Sequence, residues 1–139
     1  MNRNLLAATG IVLWLLLAPL ACFAHHGGAA YDMAKITTLK GTITDFEFIN
    51  PHVEVYFEVK DDKGNVEKWN GEASNTLALH RHGWTSKSLS VGQTVTFSGN
   101  RAKNGSNVMR LQKIVLEDGT ELNPFPTSAV DSIGRRNTI

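Results

Sequence analysis

Five histidines are the side chains of this 139-residue chain best suited to holding an ion or carrying a proton. Two of them, His25 and His26, follow directly on a run that reads as an export leader. A cut after Ala24 makes His25 the first residue. Its α-amine and imidazole then chelate one ion through a small ring, and His26 adds a second imidazole. Nitrogen donors of this kind suit Cu(II), Ni(II) or Zn(II), with Cu(II) the first choice. A cut one residue earlier leaves Ala24-His25-His26, an amine-x-His start that also favours square-planar Cu(II) or Ni(II). The bland alternative is that the pair is only a polar linker.

His52 is the next candidate. It follows Pro51 and begins an outward-facing row with Glu54 and Tyr56. An imidazole there could complete a metal site begun by the N-terminal arm, which would fold onto the barrel when the ion arrives. Its structural alternative is a histidine bonded to a turn carbonyl. Glu72 is a further carboxylate in reach, or a solvated residue, so Glu54, Tyr56 and Glu72 form a candidate ligand face. His80 and His82 are two apart, a spacing that shares no helix face, and Arg81 between them repels a cation. Tyr56, Trp69 and Trp84 could form an aromatic platform or could pack the core.

No catalytic constellation is visible. There is no Gly-x-Ser-x-Gly, no His-Glu-x-x-His and no phosphate-cradling glycine loop, and the reading is of a protein that is not an enzyme. The chain holds 14 basic and 13 acidic residues, a formal net charge of +1. That near-neutral balance argues against nucleic acid as a partner. The remaining partner classes are a transition-metal ion or a periplasmic protein.

These residues must be positioned by the elements around them. Residues 1–24 have Arg3, an apolar stretch broken by Pro19, and small residues at Cys22 and Ala24, the pattern of a cleaved signal peptide. The run is short for a membrane span, which needs roughly 20 apolar residues, so no integral span remains after cleavage. The rival is lipoprotein processing at Cys22. Cleavage removes that cysteine, the only one in the chain, and the protein then rests in the periplasm on packing alone.

Residues 25–36 are a His/Gly/Ala-rich arm with Tyr31 as a docking point. Residues 37–122 read as the folded domain, and 123–139 as a loosely held tail with Pro124 and Pro126. The first strand alternates through Leu39, Gly41 and Ile43, then slips phase to Phe46 and Phe48, which predicts a bulge. The second is the clearest, with Val53, Val55, Phe57 and Val59 on one face. Further strands are expected over 66–72, 94–99, 108–117 and 120–122, with a short helix over 76–82 capped by Ser74 or Asn75 and ended by Gly83. The order β-β-β-α-β-β predicts a mostly β protein, a small five-stranded OB-like Greek-key barrel with one short helix. A small β-sandwich is the rival.

Taken together, His25-His26-Gly-Gly-Ala-Ala-Tyr31-Asp32, Leu39-Lys40-Gly41, Asn50-Pro51-His52, Gly83-Trp84 and Ala102-Lys103-Asn104-Gly105-Ser106 resemble the DUF6152 family of exported bacterial proteins. The resemblance runs from His25 to about Leu122. It implies a small exported domain without an established activity. Where the family often carries Trp before Asn-Pro, this chain has Phe48-Ile49. The two functional expectations are a periplasmic binding protein for a transition metal through His25, His26 and His52, and a non-metal OB-fold adaptor or ligand-binding module.

Overall fold

Alternation of apolar and polar residues builds five strands that close on themselves. The structure, a computed structural model, describes residues 28–126. The leader with Cys22, the cleavage point, His25 and His26 lie outside the described residues, as do residues 127–139. The strands are β1 (Thr37–Glu47), β2 (Glu54–Lys60), β3 (Val66–Glu72), β4 (Thr94–Arg101), β5 (Val108–Val115) and the two-residue β6 (Glu121–Leu122). The one α-helix among the described residues, α1 (Thr76–Arg81), lies between β3 and β4.

The sheet runs β3-β2-β1-β4-β5-β6, and β3 also pairs with β5. That last pairing closes a five-stranded barrel of the expected β-β-β-α-β-β order, with β6 as an extra strand on β5. It is parallel and joins Asn70, Gly71 and Glu72 to Val108, Met109 and Arg110, while the other pairings are antiparallel. Leu111 packs directly over Gly71, where a Cβ would stand 2.8 Å from its side chain. Glycine is what lets the closing strands approach there.

The expected phase slip in β1 is present. Ile43 faces Phe57 and Asp45 faces Tyr56, so Thr44 is the extra residue of a bulge. β1 can therefore turn from β4, which it pairs over its first half, to β2, which it pairs over its second. β4 runs two residues beyond the expected Gly99. The reason is Asn100, a polar residue 1% exposed whose amide is fully engaged within the fold.

The core is Ile43, Val53, Val55, Phe57, Trp69, Trp84, Val95, Phe97, Met109, Leu111 and their neighbours. Phe57 stacks on Phe97 with centroids 3.8 Å apart and on Trp69 at 6.3 Å. Each such side chain contributes roughly 1.5–3 kcal/mol on burial, so without a disulfide this stack is a principal source of stability. Trp69 and Trp84 thus belong to the core rather than to an exposed platform.

Helix α1 is short and depends on its caps. Asn75 accepts from Ala78 N at 2.8 Å at the N-terminus, and Gly83 with φ +83° follows its C-terminal end. Asn50 in the β1–β2 loop accepts from the Thr76 hydroxyl at 2.7 Å. Leu79 and Trp84 are buried, which fixes the helix against the barrel.

Residues on either side of the strands also pack. Tyr31 is 7% exposed and bridges to Ala102. Asp32 N donates to Arg101 O, and Lys103 N to Ala30 O, both at 2.9 Å. Asn100 Nδ2 donates to Asp32 O at 2.9 Å and Lys35 O at 3.0 Å, while Gln112 Nε2 donates to Asn100 Oδ1 at 2.9 Å. At the other end Ser74 N donates to Pro124 O at 2.9 Å, and Arg110 lies 3.7 Å over the Phe125 ring.

Gly99 sits at a register shift between β4 and β5, and a Cβ there would run into the Arg110 carbonyl. Gly99→Ala should therefore destabilise the barrel by about 1–3 kcal/mol, the usual cost of overpacking. Urea unfolding measures it, and a loss within experimental error would contradict this packing.

Candidate functional site

The outer face of β2 and β3 carries the polar residues that the core leaves outside. Because β2 points Val55 and Phe57 inward, it must point Glu54 and Tyr56 outward. Register then places Glu47 of β1 beside Glu54, Glu54 beside Glu72 of β3, and Glu72 beside Arg110 of β5. Three carboxylates in one row across adjacent strands are destabilising unless donors reach them.

The donors are present. Tyr31 OH donates to Glu72 Oε2 at 2.7 Å. His52 Nδ1 lies 2.9 Å from Glu72 Oε1, so that nitrogen carries the proton towards an acceptor-only carboxylate. Glu54 Oε2 accepts from both the Tyr56 hydroxyl and Asn70 Nδ2. Asn70 commits its amide to Glu54 and leaves its Oδ1 buried without a partner. An unmet acceptor of this kind costs about 1–3 kcal/mol, a measure of how strongly the carboxylate row orders its surroundings.

The sequence-derived candidates fall into two linked pairs. His52 and Glu72 are together, with side chains 40% and 25% exposed. Glu54 and Tyr56 are together beside them. His80 is exposed at the end of α1, and His82 caps it. Among the described residues no group of three or more His, Cys, Asp or Glu side chains could hold a metal ion. His25 and His26 lie outside the described residues.

Two participants were not assigned roles from sequence. Tyr31 was legible as a docking residue, but not as the donor to Glu72, its partner 41 positions away. Arg110, the cation that ends the carboxylate row, carries no local signal.

Both tyrosines are held protonated. Burial, then the hydrogen bond to Glu72, raises the Tyr31 phenol far above the ordinary value of 10.0, with the charge of Glu54 adding to this and Arg110 opposing it. The hydrogen bond to Glu54, then burial, then the charges of Glu54, Glu47 and Asp45 push Tyr56 up to about 12.

Fold and face together define a small OB-like barrel whose outer sheet presents histidine, tyrosine and carboxylate groups. The chain belongs to DUF6152, a family of unknown function whose model matches residues 14–110. No curated protein matches the chain. Among the described residues no helix is long and apolar enough to cross a membrane.

The chain has two tyrosines, so their titration is simple to read. Absorbance at the phenolate band should show no transition at pH 10. Tyr56 should ionise near pH 12, and Glu54→Gln should move it back towards the ordinary value. The raised folded value means that this contribution to stability is complete below pH 10 and is lost as pH rises towards 12. A phenol titrating at pH 10 in the folded protein would contradict these contacts.

Proposed function

We propose that the protein is an exported periplasmic binding protein, not an enzyme, that takes a transition-metal ion, Cu(II) first, through His25, His26 and His52. The observation that carries this reading is the junction at Glu72. One carboxylate holds the His52 imidazole and, through Tyr31, the chain that leads to His25 and His26. Metal-ligating histidines commonly donate a ring N–H to a carboxylate, the arrangement that His52 Nδ1 and Glu72 adopt. His26 lies five positions before Tyr31, a reach of at most roughly 18 Å. Among the described residues no group of three or more His, Cys, Asp or Glu side chains could hold an ion, so this reading depends on the N-terminal donors. Cleavage after Ala24 supplies the free α-amine, whereas acylation at Cys22 would remove it.

A second reading is a non-metal adaptor or ligand-binding module that uses the Glu54, Tyr56 and Glu72 face. Its support is the row of carboxylates turned outward there. A periplasmic pull-down that loses its partner in His52→Ala would favour it.

The metal reading is tested by calorimetric titration of Cu(II) into protein whose intact mass shows a His25 start. One equivalent should bind. Deleting His25 and His26 should weaken it by more than the roughly 10–100-fold that loss of an outer-shell partner costs. Equal affinity with and without the two histidines would sink the proposal.

A further inference from the structure

We propose that the groove between residues 29–37 and the loop 102–107, which joins β4 to β5, binds a small organic anion, a carboxylate carried on an apolar body. The proposal is independent of both readings above and uses neither His52 nor Glu72. Two hollows meet in this groove. The first, of about 450 Å³, has Ala29, Ala30, Tyr31, Ala102 and Val108 as its largely apolar lining. Its polar residues are Lys103, Asn104 and Ser106. The second, of about 440 Å³, lies between Asp32, Lys35 and Ile36 and the segment Arg101-Ala102-Lys103. Both volumes fall within the roughly 300–1,000 Å³ usual for small-molecule sites. Ala102 and Lys103 line both hollows, so an apolar space joins a charged one at Lys103.

Charge decides what kind of molecule fits. The second hollow sets Lys35, Arg101 and Lys103 against one acidic residue, Asp32. Among the described residues the ion pairs are His52–Glu72 and Lys113–Glu121, so no carboxylate there pairs with the three cations of the groove. Asp32 instead accepts from Ala34 N through Oδ1 at 3.2 Å. Excess positive charge beside an apolar lining complements a ligand with one negative end and one apolar end.

The groove is built in advance of any ligand. Arg101 Nε donates to Ser106 O at 3.0 Å, and Nη2 donates to Gly105 O and Asn107 Oδ1, both at 2.7 Å. Its charge is thereby kept within the loop, and the exposed Lys35 and Lys103 are the cations able to reach a ligand. Asn104 Oδ1 accepts from Ser106 N and Oγ, which closes the turn. Lys103 N donates to Ala30 O at 2.9 Å and fixes where that side chain starts. A loop ordered beforehand lowers the ordering cost of binding.

Octanoate is the probe, followed by the amide chemical shifts of the isotope-labelled protein. Binding should saturate, with shifts concentrated at Ala29, Tyr31, Lys103 and Val108. Octylammonium has the same apolar body and the opposite charge, and should bind about tenfold more weakly because like charges repel. Lys103→Met should weaken octanoate about tenfold, the low end for a hydrogen bond to a charged group, whereas Lys103→Arg should keep most of the affinity. Lys103 joins the fold through its backbone and its side chain is exposed, so both variants should fold as wild type does. Shifts that are absent, or scattered over the surface, overturn the site. Equal binding of octanoate and octylammonium, or octanoate affinity unchanged in Lys103→Met, overturns the assignment of an anion to it.

Discussion

Three residues of β3 paired in parallel with three of β5 hold the remaining structure to its shape. Parallel neighbours cannot be joined by a tight turn and need a long crossover. The chain between β3 and β5 supplies it with α1 and β4. Closure also removes the open edges along which a sheet of this size could pair with other chains. It requires Gly71, because Leu111 occupies the space a side chain would need. The same contact brings Arg110 next to Glu72, so the step that completes the barrel also completes the polar face.

That face is governed by a repulsion that its neighbours offset. Glu47, Glu54 and Glu72 lie side by side, and Glu54 and Glu72 face donors: two phenols, an amide and an imidazole, with Arg110 in register beside Glu72 at the end of the row. Hydrogen bonds to charged groups contribute roughly 1.5–3 kcal/mol each, enough to turn an unfavourable row into an ordered one. The order comes from long-range partners. Glu72 gathers Tyr31 from the N-terminal segment and His52 from the loop before β2, so the geometry of His52 is linked to a part of the chain outside the barrel strands.

Much of the architecture is legible in local pattern, because a half-buried strand must alternate. Val53, Val55, Phe57 and Val59 mark β2 without ambiguity, and the break in phase after Ile43 marks the bulge at Thr44. Strand order together with one helix is enough to separate an OB-like barrel from a sandwich. Asn100 is less legible: a lone asparagine after Gly99 reads as a loop residue, and only the structure shows its amide buried and satisfied by Asp32, Lys35 and Gln112. The site divides the same way. Parity puts His52, Glu54 and Tyr56 on one face, but pairing of His52 with Glu72 and of Glu72 with Tyr31 depends on barrel register, which no local spacing encodes. A single tyrosine in a Gly/Ala-rich segment is the one hint that this segment docks.

An ion held at the N-terminus, as proposed, would also take His52, oriented by Glu72. Pulsed electron paramagnetic resonance on the protein with one equivalent of Cu(II) tests it by counting coordinated imidazoles. Three are expected in wild type and two in His52→Ala. Identical spectra from the two proteins would contradict it.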